Sequence, residues 1–145
     1  MKGIVRKFLL MLFVVSLLGC ENVFHNDKLD YLWRLDKVEY PDGTDFSGNP
    51  CTVESKKDLW FCFTRDLVMI ENKSNDFSAI GVLTDQGETL VFDFSMYDDQ
   101  EWPDIEANLN AAGLDSKVPS FHVSELNRKT MVLTGAKTVL TFTRW

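Results

Sequence analysis

The sequence predicts an all-β domain, a small up-and-down antiparallel β-barrel of about eight strands with one short inserted helix. Three observations carry that expectation. Apolar and polar residues alternate over a series of short segments, as in Leu59-Trp60-Phe61-Cys62-Phe63 and in Thr89 to Phe94, the pattern of half-buried strands. Turn residues separate the segments, for example Pro41-Asp42-Gly43 and Asp85-Gln86-Gly87-Glu88, so consecutive strands pair as hairpins. Only residues 97–119 leave the period-two pattern. Closing such a sheet removes its exposed edges. An open sandwich is the other arrangement available to the same strands.

Before the domain comes an export signal. Lys2, Arg6 and Lys7 precede an apolar run from Phe8 to Leu18, broken only by Ser16. A bilayer core of about 30 Å needs roughly 20 apolar residues, so this run is too short to span and fits the apolar region of a signal peptide. It ends in Leu17-Leu18-Gly19-Cys20, which resembles the lipobox of bacterial lipoproteins at all four positions. That resemblance implies removal of residues 1–19 as a signal peptide and a lipid on Cys20, the first residue of the mature chain. Residues 20–28 are then the lipidated Cys and a short polar tether, and residues 29–145 the barrel domain. The implied location is the cell envelope. Glu21 and the polar residues that follow resemble the signals sending lipoproteins to the outer membrane or cell surface, and leave the membrane face open.

The strands follow in order. Asp30 to Leu32 reads as a helical turn leading into the first, Trp33 to Tyr40. Trp33 and Leu35 share one parity, Val38 and Tyr40 the other; a bulge near Asp36 brings all four inward. Thr44 to Lys57 is a long turn-rich loop containing Gly48, Asn49 and Pro50. Leu59 to Phe63 and Leu67 to Glu71 form a hairpin about Thr64-Arg65-Asp66. After the polar loop Asn72 to Asp76, Phe77 to Thr84 and Thr89 to Phe94 are the next pair. Pro103 is placed to open a helix of about ten residues, Ile105, Leu109 and Ala112 fall on one face, and Gly113 is placed to end it. Ser120 to Val123, Thr130 to Thr134 and Thr138 to Trp145 complete the set.

Charge and composition bound the partners. Without residues 1–19 the chain holds twelve basic and 22 acidic residues, a net charge of −10. That balance argues against nucleic acid and against docking driven by anionic head groups. Nine of the eleven Phe and all four Trp lie in the same part, a composition that calls for a packed core rather than a disordered stalk. Cys51 and Cys62 remain once Cys20 is lipidated. In an oxidising compartment they are candidates for a disulfide, worth about 3 kcal/mol on the chain-entropy model. The other reading is one loop thiol and one strand thiol.

Phe121-His122-Val123-Ser124-Glu125-Leu126, Met131-Val132-Leu133 and Leu140-Thr141-Phe142-Thr143-Arg144 resemble the closing strands of bacterial lipocalin-like lipoproteins. Trp33-Arg34-Leu35, the Asp42-Gly43 turn and Phe61-Cys62-Phe63 fit the same pattern. In lipocalins proper a Gly stands two residues before the first-strand Trp; here that position is Tyr31. The resemblance implies a lipocalin-like barrel and a closure at its floor, with Arg144 lying across the indole of Trp33.

The expected barrel lining is Trp33, Leu35, Phe61, Phe63, Met69, Phe92, Phe94, Phe121, Met131, Leu133, Leu140 and Phe142. Bulky apolar residues either line a ligand pocket or fill the barrel. The acidic run Asp98 to Glu106 lacks the spacing of a calcium loop and reads as a solvated helix entrance. His25 and His122 have no metal-ligand spacing. No nucleophile elbow, phosphate-binding Gly loop or His-Glu-x-x-His occurs, so no catalytic residue, metal or cofactor is expected. The expected function is therefore a membrane-anchored binding module for a small hydrophobic ligand or an envelope protein, without enzymatic activity. The alternative is a structural or accessory lipoprotein with a solid core.

Overall fold

A computed structural model of the protein describes residues 28–145; the signal peptide, Cys20, His25 and most of the tether lie outside these. Among the described residues nine strands form: β1 (Leu32–Glu39), β2 (Val53–Ser55), β3 (Leu59–Thr64), β4 (Leu67–Asn72), β5 (Phe77–Asp85), β6 (Thr89–Asp93), β7 (Ser120–Leu126), β8 (Thr130–Thr134) and β9 (Val139–Arg144). One helix, α1 (Ile105–Ala111), lies between β6 and β7. Every pairing is antiparallel, and β1 pairs with β9 from Trp33↔Arg144 to Glu39↔Val139. Eight strands thus close an up-and-down barrel. The three-residue β2, which falls inside the expected loop, extends β1 on the edge it shares with β3.

The closure depends on a bulge at Asp36. Register against β9 shifts between Leu35 and Lys37, so Trp33, Leu35, Val38 and Tyr40 all point inward and are 5% exposed or less. Asp36 itself points outward. Its carboxylate takes Arg34 Nε at 3.0 Å and the Thr143 hydroxyl of β9, while its carbonyl accepts Lys56 N–H at 2.7 Å. The bulge is held from three sides. Residues 28–31 form turns and bends rather than the expected turn of helix.

β5 turns small residues inward, Ala79 and Gly81, and large ones, Ile80 and Val82, outward. A Cβ on Gly81 would stand 2.8 Å from Phe94 Cε1 and 2.9 Å from the Asp93 carbonyl oxygen. The missing side chain is what lets the Phe94 ring reach the wall. β7 runs on to Leu126, three residues beyond its expected end, by way of a second bulge at Ser124.

α1 covers one end of the barrel. Ile105 and Leu109 on its inner face, with Ala112 and Leu114 just beyond it, are buried in the same core as the strands. It is seven residues long, shorter than expected. Pro103 precedes the N-cap, Asp104, instead of opening the helix. At the other end Gly113, at φ +83°, is C′ of a Schellman motif: Leu114 N–H bonds to Leu109 O and Gly113 N–H to Asn110 O. The opposite end of the barrel is closed by the entering chain, where Trp33 Nε1 donates to the Leu29 carbonyl at 3.0 Å.

Candidate functional site

Alternation along each strand decides what enters the barrel. Trp33, Leu35, Phe61, Phe63, Phe92, Phe94, Phe121, Met131, Leu133, Leu140 and Phe142 are all buried there, each 2% exposed or less. Met69 is not among them. β4 buries Val68 and Ile70, and Met69, opposite Cys62, stands on the outer wall with it. The period-two pattern of a strand with apolar residues on both faces fits either parity, so sequence could not choose.

The interior is filled by aromatic packing. Phe61 meets Phe142 edge-on with ring centroids 4.9 Å apart, Phe63 packs on Phe92 at 5.7 Å, and Phe92 on Phe121 at 5.3 Å. Phe61 joins the two groups through Phe63 at 6.2 Å and Phe92 at 6.5 Å. These separations are those of rings in direct contact. Five Phe side chains pack against one another in the interior.

The floor differs from expectation. Arg144 is the β9 partner of Trp33 in the strand register, but its guanidinium lies over Tyr31, 3.1 Å from the ring centroid. Trp33 is fully buried, which leaves its indole no open face for a charged head. Tyr31, at the position where lipocalins carry Gly, supplies the outer aromatic surface instead.

Cys51 and Cys62 are free thiols, not a disulfide. Cys62 is paired with Leu32 at the start of β1, whereas Cys51 lies beyond β2, next to the segment after Tyr40 at its end. Eight residues of strand separate those two levels, about 25 Å at ~3.3 Å per residue. Burial, with Glu54 nearby, raises the Cys51 pKa. The same two causes push Tyr40, 5% exposed, up to about 12.

The acidic run is solvent-exposed. The Asp98 carboxylate accepts the Gln100 N–H at 2.7 Å, and Asp99 pairs with Lys117 at 2.7 Å. Among the described residues no group of three or more His, Cys, Asp or Glu is arranged to hold a metal ion. His122 points outward between buried Phe121 and half-buried Val123.

Concave surface occurs beside α1. β6 ends at Asp93, opposite Val82, so residues 77–81 of β5 are paired with β4 but have no β6 partner. Beside Phe77 at the start of β5 lies a groove of about 540 Å³ whose lining mixes Phe77, Trp102, Pro103 and Ala111 with Asp76, Glu101 and Asp104. The Asn75 amide donates to Asn108 Oδ1 at 2.8 Å within that lining. Trp102 is half exposed and packs edge-on against Tyr97, centroids 5.3 Å apart. A second concavity, of about 460 Å³, lies along Glu106, Leu109, Asn110, Lys117 and Val118.

A family model described as a lipocalin-like domain matches residues 12–145. The chain belongs to the lipocalin-like domain family. Its lipocalin-like barrel is similar to that of a lipocalin-like protein from Bacteroides uniformis ATCC 8492, with 14% identity and a TM-score of 0.59, over 81% of this chain and 99% of that one. It is also similar to an uncharacterized protein from Bacteroides eggerthii DSM 20697, with 20% identity and a TM-score of 0.57, over 79% and 98% of the two chains. At such identities the likeness is one of fold. No curated protein matches the chain.

Sequence reasoning looked for this lipocalin-like barrel's site in its lining and missed Phe77 and Trp102. A signal was present: Trp102-Pro103 stands in an otherwise acidic stretch, and an aromatic residue beside five carboxylates is out of keeping with a purely solvated helix entrance.

Proposed function

We propose that the protein is a cell-envelope lipoprotein, tied to the outer membrane by lipid on Cys20, whose lipocalin-like barrel works as a binding module without turnover. Its ligand is a small apolar molecule, taken on the outside of the barrel in the groove between α1 and β5. One observation carries the reading: the barrel interior is occupied by Phe61, Phe63, Phe92, Phe121 and Phe142, while the groove beside Trp102 is open, its apolar surface from Phe77, Trp102, Pro103 and Ala111 standing beside Asp76, Glu101 and Asp104. Its volume of about 540 Å³ falls within the range of small-molecule sites. The basic start, apolar run and lipobox-like ending of residues 1–20 support the anchor.

Titration with a fluorescent apolar probe such as N-phenyl-1-naphthylamine tests the site. Saturable binding that Trp102→Ala weakens at least tenfold is expected. Saturable binding that Trp102→Ala leaves unchanged contradicts the site. Palmitate labelling of the expressed chain tests the anchor, with label expected on the wild type and absent from Cys20→Ala.

The filled core favours a second reading, an accessory subunit that binds an envelope protein and no small molecule. Crosslinked partner recovered from membranes, with no probe binding, selects it.

A further inference from the structure

We propose that the outer wall formed by β1, β3, β4 and β5 rests on the bilayer to which Cys20 ties the protein, with Trp145 at the lipid–water interface. This rests on the anchoring proposed above and adds which face turns to the membrane.

One band of this wall is apolar by register, next to the mixed row Arg34, Trp60, Glu71 and Ser78. Leu32, Cys62, Met69 and Ile80 are successive cross-strand partners on four adjacent strands, and all point outward. One step along the strands, Leu67 and Val82 are partners on the same face. Leu67, Ile80 and Val82 are 48%, 45% and 44% exposed. At the β1 flank Trp145, 76% exposed, stands edge-on to half-buried Trp60 at 5.3 Å. An apolar surface contiguous over four strands marks a contact site rather than scattered exposure.

The length of the tether and its point of entry select a bilayer as the occupant. Seven residues lie between Cys20 and Lys28, and the eight steps from one to the other span at most about 29 Å when extended. The chain then runs through Tyr31 directly into Leu32, whose carbonyl accepts the Trp145 N–H. A lipid on Cys20 therefore keeps this wall within reach of the membrane. α1 lies at the far end of the strands.

Charge agrees with that orientation. The far end carries Asp98, Asp99, Glu101, Asp104, Glu106 and Asp115 against Lys117 and, in the turns that touch α1, Lys73 and Lys137. At the entry end Arg65, Arg128, Lys129 and Arg144 offset the acidic residues of the neighbouring turns. The net charge does not draw the molecule to anionic lipid; the lipid holds it there, and the asymmetry turns the acidic end away. Trp and Tyr settle at head-group depth because one side of the ring is apolar and the other polar, which suits Trp145 and Tyr31.

The test uses the mature lipoprotein reconstituted into phosphatidylethanolamine–phosphatidylglycerol vesicles, with and without brominated acyl chains. Co-flotation is expected, together with bromine quenching of tryptophan emission that falls at least twofold in Trp145→Phe. Co-flotation without quenching, or with quenching undiminished in Trp145→Phe, overturns the orientation and leaves the anchor standing; a wall covered by another protein produces that result. Failure of the wild type to float overturns the anchor and the orientation together.

Discussion

At the scale of single residues, two side chains carry the sharpest expectations. Burial and Glu54 hold Tyr40 protonated up to about 12, against 10.0 in a free side chain. The folded chain thus keeps a proton that the unfolded chain releases near pH 10. Stability from this group is complete below pH 10 and is lost as the pH rises from 10 to 12, by about 3 kcal/mol. Chemical denaturation across that range should show the loss in the wild type and a flatter profile in Tyr40→Phe; identical slopes would refute the assignment. The stack of Arg144 on Tyr31 is worth about 1 kcal/mol at this partly exposed site. Arg144→Ala should lower the melting temperature by a few degrees, and adding Tyr31→Ala should cost less than the sum of the two. Strict additivity would count against the contact. The family resemblance implied Arg144 on the indole of Trp33; the aromatic partner it has is Tyr31. Register sets Arg144 opposite Trp33, and burial of Trp33 then diverts the guanidinium to its neighbour.

At the scale of elements, the Asp36 bulge was legible because the apolar residues of β1 change parity there, and only an extra residue keeps Trp33 and Tyr40 on one side. β4 shows the opposite case. Leu67, Val68, Met69 and Ile70 are all apolar, so Met69 was given the interior that Val68 and Ile70 occupy. The end of α1 is set by packing as much as by propensity. Gly113 sits at φ +83°, and a Cβ there would collide with Leu140 and Val38. Gly113→Ala should therefore cost about 2–4 kcal/mol, combining backbone strain with overpacking. The buried Thr138 hydroxyl donates to the Gly113 carbonyl at 2.6 Å. Thr138→Val leaves that carbonyl unpaired and should cost about 1–3 kcal/mol in urea denaturation; a neutral result for both variants would mean that α1 is not fastened there.

At the scale of the molecule, the closed barrel was legible because alternation, hairpin turns and a single stretch outside the period-two pattern, residues 97–119, all point the same way. Its occupancy was not: a list of inward Phe residues is the same whether the rings surround a ligand or one another. The packing resolves it, since Phe61 touches rings on both sides of the barrel. Phe61→Ala should cost about 3–5 kcal/mol and leave a cavity. The groove was illegible for a different reason. It lies beside the start of β5, whose residues 77–81 run past the end of β6 at Asp93, a feature of register that no local pattern encodes.

The central claim is that ligand binds outside a filled lipocalin-like barrel. Native mass spectrometry of the protein purified from membranes in mild detergent tests it most directly, comparing wild type, Trp102→Ala and Phe142→Leu. An apolar adduct retained by the wild type and by Phe142→Leu, and lost from Trp102→Ala, is the predicted result. An adduct lost from Phe142→Leu but kept by Trp102→Ala would place the ligand inside the barrel and contradict the account.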